Sequence, residues 1–148
     1  MKNKNKKPLV YVAMCGDIIH HGHIKILKVA HKYGDITLGL LSDKAIKSYK
    51  KKGPLINFKN RKIIFQSIKY IKKIIKQNQL DYVPTLNKFK PNYVVHGDDW
   101  KKGVQKEIRE KILKALKKWN GKLIEPRYTK NISSTLIKKR LKINGINR

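Results

Sequence analysis

A nearly continuous apolar run, Leu9–Cys15 (LVYVAMC), constrains the fold of this chain more than any other feature. The run is rich in residues that favour β-structure, and it lacks the polar alternation of a half-exposed strand. Both properties are typical of a strand whose two faces are covered, as in a parallel sheet with helices on either side. Gly16 and Asp17 end the run.

The residues that follow complete a strand–helix–strand unit. From Gly22 onward, apolar side chains recur at helical spacing with lysines between them, and Gly34 is placed to end this helix. A second apolar run, Ile36–Leu41 (ITLGLL), is typical of another buried strand. A strand, a helix and a strand in this order predict a parallel sheet joined by a right-handed crossover.

The rest of the chain continues this alternation. Helices are predicted over Asp43–Tyr49, from an Asn57 cap to about Ser67, over Val104–Trp119, and from a Ser133 or Ser134 cap through Leu141. Strands are predicted over Tyr70–Ile75, Asn92–His96 and Lys122–Glu125. We expect one α/β domain over residues 1–148, with loose ends at 1–7 and 144–148. Its fold should be a Rossmann-like, doubly wound parallel sheet in a three-layer α/β/α sandwich.

The charge balance is the outlier of the composition. Lysine and arginine total 37 and aspartate and glutamate total 9, which gives a net charge of +28. Such a surplus attracts nucleic acid, anionic lipid, nucleotides or other phosphorylated small molecules. Compositional drift toward lysine, asparagine and isoleucine, whose codons are A/T-rich, explains the same surplus without any binding role. Because the lysines are spread over every segment and no aromatic stacking platform is visible, we expect no nucleic-acid partner.

Cysteine usage and hydropathy limit the cellular context. Cys15 is the only cysteine, so the chain has no intrachain disulfide and no paired-cysteine metal site. The apolar run that ends at Cys15 is too short for a signal-peptide core or a membrane span, and polar residues interrupt it at once. We therefore expect a soluble, cytoplasmic protein with no membrane partner.

Three histidines and a glycine, His20-His21-Gly22-His23, follow the first strand and open the first helix. The unpaired N–H groups and positive dipole end of a helix start suit phosphate, and Gly22 lets the backbone approach a ligand closely. His20 and His23 can both donate hydrogen bonds to a phosphate oxygen. The alternatives are histidines without a role, or a metal site, which the lone cysteine and the few carboxylates disfavour. We expect phosphate binding and no metal held by protein ligands.

Two further polar segments are expected at the same edge, because the carboxyl ends of parallel strands share one edge of a sheet. The segment Lys130–Thr135 leads into the last helix, and its hydroxyl and N–H groups form a second anion-binding helix start. An ordinary serine cap is the alternative. Gly97-Asp98-Asp99-Trp100 follows a strand, and its carboxylates can accept hydrogen bonds from a base amino group or hold Mg²⁺. The alternative is a solvated turn with a packing tryptophan.

Together these segments resemble the motifs of the HxGH nucleotidyltransferases, specifically of their cytidylyltransferase branch. That branch has HxGH after the first strand, GDDW in the glycerol-3-phosphate cytidylyltransferases, and an RxxxGIS[ST]T-like motif before the last helix. All three occur here in that order, between Val10 and Leu141. The chain is most similar to the cytidylyltransferase domain associated with some phosphoenolpyruvate mutases, which serves phosphonate biosynthesis. That similarity is carried by residues 11–14, 39–46, 80–84 and 94–100.

The resemblance implies a role for each matched residue. It makes His20, His23 and Lys50 the catalytic residues, with the two histidines stabilising the α-phosphate in the transition state. The implied nucleotide-binding residues are these two histidines with Cys15, Gly16, Gly22, Lys52, Asp98, Asp99, Trp100, Ile132, Ser133, Ser134 and Thr135. The implied acceptor-binding residues are Asp17, Lys50, Asp81, Tyr82 and Arg127. Mg²⁺ bound with CTP is the implied cofactor, and a homodimer is the implied assembly.

The chain departs from the family pattern at several positions. Met14 stands at the glycine of GTFD, Asn131 at the glycine before IS[ST]T, and Tyr128 at the motif arginine, with Arg127 adjacent. The glycerol-phosphate enzymes have a lysine in the region of residues 80–83, and this chain has none there. The resemblance therefore implies transfer of CMP from CTP to 2-hydroxyethylphosphonate or 2-aminoethylphosphonate. Glycerol 3-phosphate or another alcohol phosphate is the alternative acceptor, ATP the alternative nucleotide, and a basic nucleic-acid-binding module the non-enzymatic alternative.

Overall fold

A computed structural model describes residues 6–103 and 105–143 of the chain. The strands within these ranges are β1 (Leu9–Met14), β2 (Asp35–Leu41), β3 (Ile71–Gln77), β4 (Tyr93–Val95) and β5 (Lys122–Ile124). The helices are α1 (His21–His31), α2 (Asp43–Tyr49), α3 (Phe58–Gln66), α4 (Val83–Phe89), α5 (Lys106–Lys117) and α6 (Ser134–Ile143). A 3₁₀ turn covers Asp98–Lys101. None of the described helices is both long and apolar enough to cross a bilayer.

The strands form one parallel sheet in the order β3-β2-β1-β4-β5. The longest pairing joins β1 and β2, from Leu9 opposite Asp35 to Met14 opposite Leu40. The chain builds the sheet outward from β1 in one direction through β2 and β3, and then in the other through β4 and β5. The strand order therefore reverses between β1 and β4, where doubly wound sheets open a crevice for ligands. The predicted fold class is confirmed.

The two faces of β1 explain its uninterrupted apolar sequence. Val10, Val12 and Met14 belong to a core that also contains residues of α1 and α3. Tyr11 lies on the opposite face, in a core with residues of α4 and α5. Since successive side chains of a strand point to opposite faces, every position in β1 must be apolar to fill both cores. Helices on both sides of the sheet make the predicted three layers.

Helix α4, between β3 and β4, was not predicted. It is only seven residues long and has Pro84 in its first turn, so a helical repeat is hard to recognise in its sequence. The side chain of Asp81 accepts a hydrogen bond from the backbone N–H of Val83 and so stabilises its start. Of the other predicted boundaries, Val104, residues 1–5 of the predicted loose end 1–7, and the whole loose end 144–148 lie outside the described residues.

Candidate functional site

A cavity of about 190 Å³ opens where β1 and β4 end, and we call it the first cavity. Its lining brings together the end of β1, the start of α1, the end of β4 and the segment before α6. The residues are Val12, Ala13, Met14, Cys15, Gly22, His23, Ile26, Val95, His96, Gly97, Asp99, Tyr128 and Thr129. Residues of the histidine turn and of the acidic turn therefore line one cavity, whereas from the third segment only the preceding Tyr128 and Thr129 do, and none of Lys130–Thr135.

The imidazole rings of His20 and His23 cap the start of α1, because each ring accepts a hydrogen bond from a backbone N–H group at this helix start. The Nδ1 atom of His20 accepts a hydrogen bond from the N–H of Gly22 at 3.1 Å. The Nδ1 atom of His23 accepts one from the N–H of His20 at 3.2 Å. Because Nδ1 is the acceptor in both rings, a neutral imidazole must carry its proton on Nε2. Each ring thus retains one N–H donor for a ligand.

Both histidines are held in the neutral form. Burial lowers the pKa of His23 to about 4, and the nearby charges of His20 and Lys50 also lower it. Burial is the main cause that lowers the pKa of His20 as well, with the charge of His21 adding to it. At neutral pH the two rings therefore act as uncharged hydrogen-bond donors rather than as cations.

Gly16 and Gly22, between the end of β1 and the first turn of α1, lie so close to neighbouring side chains that a Cβ atom would not fit at either position. Gly16 has φ +62°, and a Cβ atom there would lie 2.1 Å from the ring of Phe65. A Cβ atom on Gly22 would lie 2.8 Å from the ring of His20. These contacts explain why the predicted nucleotide-binding turn requires glycine at both positions.

The start of α6 contacts the segment between β1 and α1. The hydroxyl of Ser134 donates a hydrogen bond to the carbonyl of Ile18 at 2.9 Å, and Ser133 caps the helix by accepting one from the N–H of Leu136 at 3.0 Å. Asn131 adopts φ +64°, the left-handed conformation of the family's glycine. The carbonyl of Ile132 accepts a hydrogen bond from the hydroxyl of Tyr128, while Thr135 is exposed. The start of α6 is thus held against Ile18, two residues before His20.

The two carboxylates of the acidic turn after β4, Asp98 and Asp99, have different surroundings. Asp98 accepts a hydrogen bond from the N–H of Tyr128 at 2.8 Å, which fixes the segment that leads toward α6. Asp99 is exposed and lines the first cavity. Of the two residues, Asp99 is therefore the one whose carboxylate is placed to meet a ligand, and Asp98 positions the backbone.

Trp100 is buried and positioned by residues that the sequence analysis did not single out. Its indole N–H donates to the carboxylate of Glu125 at 2.7 Å, and Arg109 donates two hydrogen bonds to the same carboxylate at 2.8 and 2.9 Å. The indole stacks on the ring of His96, with centroids 3.6 Å apart and planes 7° from parallel. Trp100 does not line the first cavity but forms, with His96, a wall beside it.

Asp17 connects three separate segments at the end of β1. It is 1% exposed, and its carboxylate accepts hydrogen bonds from the N–H groups of Leu55 and Ile56 and from the ammonium group of Lys138 on α6. Burial opposes the charge, yet these bonds hold the pKa of Asp17 below its usual value. Its carboxylate is thus engaged in holding the loop before α3 and the last helix, rather than in facing a ligand.

Arg61 is the second buried anchor, and the sequence analysis missed it as well. Its guanidinium group donates to the carbonyl oxygens of Cys15, Leu41 and Ile56 at 2.6, 2.8 and 2.9 Å. A further nitrogen donates to the carboxylate of Asp43 at 2.6 Å. The ends of β1 and β2, the start of α2 and the following loop are therefore joined by one side chain.

The predicted loop lysines lie at different depths. Lys50 is half-buried, and its Nζ atom lies 4.0 Å from the Sγ atom of Cys15. Lys52 is exposed and lines a separate basic cavity between this loop and α6, which also contains Lys138 and Lys142. Lys50 lines the same basic cavity and not the first cavity, although Cys15, which its Nζ atom approaches, lines the first cavity.

A second cavity, of about 170 Å³, lies on the other side of His96. It shares Ala13, Met14, Cys15, His96 and Asp99 with the first cavity, and its other lining residues are Leu41, Tyr49, Leu80, Tyr82, Trp100, Gln105 and Ile108. Tyr82, a predicted acceptor residue, therefore lies beside the end of β1. Asp81 and Arg127 line neither cavity: Asp81 caps α4 and lies 3.7 Å from Lys111, and Arg127 is exposed.

Comparison with known proteins gives a consistent family match. The model of the cytidylyltransferase-like family matches residues 15–140. The bifunctional protein HldE of Campylobacter concisus is 30% identical over 103 residues, which cover 68% of this chain and 22% of that protein. The FAD synthase of Korarchaeum cryptofilum is 27% identical over 140 residues, which cover 90% of this chain and 92% of that protein. The chain thus spans about a fifth of HldE and most of the FAD synthase.

Solved structures show the same fold. The lipopolysaccharide core biosynthesis protein of Thermoplasma volcanium superposes with a TM-score of 0.65 at 23% identity. The superposition covers 84% of this chain and 98% of that protein. At this identity the likeness supports the architecture of the sheet and its helices.

Proposed function

This chain belongs to the cytidylyltransferase-like family, and we propose that it is a nucleotidyltransferase that transfers CMP from CTP to a small phosphonate and releases pyrophosphate. The proposed acceptors are 2-hydroxyethylphosphonate and 2-aminoethylphosphonate. The observation that carries the proposal is the pair of histidines at the start of α1, each neutral and each bonded through Nδ1 so that its Nε2–H group remains a donor.

The proposed reaction needs little acid–base chemistry from the protein. An oxygen of the acceptor attacks the α-phosphorus of CTP in line, the new P–O bond forms, and the bond to pyrophosphate breaks. A phosphate-type oxygen is already largely anionic at neutral pH, because its second pKa is about 6. No covalent enzyme intermediate is required. The main barrier is the approach of two anions, which an electrostatic site can lower.

The side chains in and around the first cavity suit this task, although of the donor groups named below only that of His23 belongs to a residue that lines the cavity itself. The Nε2–H donors of His20 and His23 stabilise the negative charge that develops on the α-phosphate oxygens. The ammonium group of Lys50, next to Cys15, offsets the charge of the incoming acceptor. The start of α6, with Ser133 and Thr135, holds the β- and γ-phosphates through N–H and hydroxyl groups.

A magnesium ion is proposed to enter with the triphosphate rather than to be held by the protein alone. Among residues 6–103 and 105–143, no three histidine, cysteine or acidic residues are grouped as metal ligands. Asp17 and Asp98 are bonded to N–H groups of the chain, whereas Asp99 is exposed at the cavity. An ion whose ligands are mainly phosphate oxygens and water needs no group of protein carboxylates. The ion supplies neutralisation of phosphate charge.

The identity of the nucleotide is the main alternative within the proposal. The similarity to an FAD synthase along 92% of that protein favours an adenine nucleotide as the second candidate. The GDDW turn favours CTP, because in the resemblance it lies by the cytosine pocket, and Asp99 of this turn lines the first cavity. A carboxylate there can accept a hydrogen bond from the exocyclic amino group of cytosine.

The experiment is a pyrophosphate-release assay of the full chain with Mg²⁺ and either CTP or ATP. Each nucleotide is tested with both phosphonates, with glycerol 3-phosphate and with flavin mononucleotide. We expect CTP with a phosphonate to be used at least about tenfold better than any ATP combination. Preference for ATP with flavin mononucleotide would favour the second candidate and overturn the CTP assignment.

Two controls connect the measured activity to the proposed site. His20→Ala should abolish most turnover, whereas His31→Ala, an exposed histidine at the other end of α1, should retain it. A basic nucleic-acid-binding module predicts instead an affinity for RNA or DNA that falls steeply with salt and survives His20→Ala. That outcome, without release of pyrophosphate from any combination, would reject the enzymatic proposal.

A further inference from the structure

The basic cavity between the loop before α3 and helix α6 has a volume of about 380 Å³. Pockets that hold small organic ligands have typical volumes of about 300–1,000 Å³. Besides Asp17 and Gly53, the lining consists of aliphatic side chains and lysines, which are Ile46, Lys50, Lys52, Leu55, Lys138, Leu141 and Lys142. The proposed reaction gives no role to these aliphatic side chains or to the lysines of α6.

Four lysines line this cavity, and the composition alone does not explain them. The first and second cavities have no lysine or arginine in their linings, although such residues total 37 of 148. Among the residues that the structure describes, no carboxylate lies within ion-pair distance of Lys50, Lys52 or Lys142. The carboxylate of Asp17 is 1% exposed and is paired with Lys138. The cavity therefore has an excess of positive charge, which attracts an anion.

Two exposed leucines lie at the same cavity. Leu55 is 70% exposed and Leu141 is 40% exposed, and buried Ile46 of α2 adds a third aliphatic side chain to the lining. One exposed leucine is ordinary on a protein surface, but two at one cavity form an apolar area that a ligand chain can cover. The methylene stems of the lysines extend this area, because lysine keeps only its end group in water.

Helix α6 has one face directed to the cavity. Lys138, Leu141 and Lys142 are three and four positions apart, which is the spacing of neighbours on one side of a helix. Lys139 and Arg140, which lie between them in the sequence, are exposed and do not line the cavity. Positive charge and apolar surface thus alternate along a single face of this helix.

Asp17 joins this helix to the loop on the other side of the cavity. Its carboxylate accepts hydrogen bonds from the N–H groups of Leu55 and Ile56 at 3.0 and 2.9 Å, and one from the ammonium group of Lys138. The two walls are therefore connected by a buried side chain. A ligand between them contacts residues whose backbone positions are already set in the folded chain.

We propose that the basic cavity binds a small amphiphilic anion, which is an anionic head group that carries an apolar chain. The ammonium groups of Lys52 and Lys142 meet the head group, and Leu55 and Leu141 meet the chain. Lysine acts as a point charge and imposes no single geometry on the head group. CTP and the proposed phosphonates carry no apolar chain, so this ligand differs from the substrates. The inference goes beyond the proposed function and does not depend on it.

Isothermal titration calorimetry of the full chain at neutral pH tests the proposal with three probes, each below its micelle concentration. Laurate combines an anionic head with an alkyl chain, and its carboxylate does not imitate a nucleotide phosphate. Acetate has the head group alone, and dodecyltrimethylammonium has a similar chain with a cationic head. We expect laurate to bind with a Kd at least about tenfold below that of either other probe.

A matched pair of double variants assigns the binding to this cavity. Leu141→Asn with Lys142→Gln changes two exposed residues of the lining and should weaken laurate binding at least about tenfold. Ile63→Asn with Lys139→Gln removes an exposed apolar side chain from α3 and a charge from α6. Neither of these residues lines the cavity, so the control should bind laurate within about twofold of the parent affinity.

Laurate that binds no better than acetate or dodecyltrimethylammonium would overturn the site, and so would equal weakening by the two double variants. Melting curves show whether each variant is folded, and the single substitution Lys142→Gln decides the question if the double variant of the lining is not. Laurate should also raise the melting temperature of the parent chain, because it binds only the folded state. None of these measurements depends on turnover, so failure of this proposal leaves the proposed function intact.

Discussion

The Nδ1 atom of His23 accepts a hydrogen bond from the backbone N–H of His20 at 3.2 Å, in the position that glutamate or glutamine occupies in an ordinary capping box. One pair of side chains therefore stabilises the start of α1 and keeps two Nε2–H donors, of which that of His23 belongs to a ring that lines the first cavity. Removal of either ring must affect both folding and activity, and the two effects can be separated by the choice of substitution.

We expect His20→Ala and His23→Ala each to lower kcat by about 10²–10³, by analogy with the loss of an oxyanion-hole donor. The affinity for CTP should change much less, because the lost donor acts on charge that develops during the reaction. Steady-state kinetics and nucleotide binding measure the two effects. His20→Asn and His23→Gln retain capping groups and should lose activity while melting near the parent temperature. Near-parent turnover in both alanine variants would contradict the assignment.

The depressed pKa of His23 makes stability depend on pH. In the unfolded chain this histidine takes up a proton near its ordinary pKa of about 6.5, whereas in the folded chain it does so only near 4. Between these values the unfolded state binds more protons, so the free energy of unfolding falls as the pH falls from about 6.5 to about 4. The expected loss is up to about 3 kcal/mol.

Denaturant melts at several pH values measure this loss. His23→Gln should unfold with a smaller decrease over the same range, because glutamine cannot titrate and still caps the helix. A parent protein whose stability is flat between these pH values, or a variant with the same slope as the parent, would contradict a buried, neutral His23.

Arg61→Met should be among the most destabilising substitutions in the chain. The guanidinium group is fully buried and joins carbonyls of Cys15 and Leu41 to the carboxylate of Asp43. Methionine fills a similar volume but leaves these acceptors unpaired, at an expected cost of about 3–5 kcal/mol. Chemical denaturation measures the change, and Arg140→Met on an exposed position of α6 is the matched control. A loss below about 1 kcal/mol would show that Arg61 is dispensable.

Sequence periodicity predicted the centre of the sheet because β1 and β2 have nearly continuous apolar runs, whereas the lysines of the edge strand β3 (IKKIIKQ) interrupt its apolar pattern. The motif residues were also predicted at the correct edge of the sheet, because neighbouring parallel strands such as β1 and β4 have their carboxyl ends at the same edge. The sequence did not predict which residues hold them there. Arg61, Lys138 and Glu125 act across long stretches of chain, and hydrophobic spacing carries no information about such contacts.

One compositional signal was available for Arg61 and for Arg109, which donates to Glu125. The chain has five arginines among its 37 basic residues, and Arg61 and Arg109 each bind through more than one nitrogen. Lysine cannot form such forked contacts, so an arginine in a lysine-rich chain is a candidate buried or bidentate donor. His96 had no comparable signal, because its contacts with Gly97 and Trp100 form only in the folded chain.

The preference among acceptors can be predicted from the walls of the second cavity. The region of Leu80–Val83 has no lysine, and Leu80 and Tyr82 line a space of only about 170 Å³ that Trp100 closes. A two-carbon tail fits such a small space better than the longer carbon chain of glycerol 3-phosphate. We expect kcat/KM for a two-carbon phosphonate to exceed that for glycerol 3-phosphate by at least about tenfold, or about 1.4 kcal/mol.

The measurement compares 2-hydroxyethylphosphonate, 2-aminoethylphosphonate and glycerol 3-phosphate with the same enzyme and CTP. Asp81→Asn is the control, because Asp81 caps α4 and lies near Lys111 outside both cavities, so the order of the acceptors should not change. A change of order in this variant would mean that Asp81 reaches the acceptor after all. If glycerol 3-phosphate is the best acceptor of the parent enzyme, the phosphonate assignment is wrong, while transfer of CMP by the histidine pair still stands.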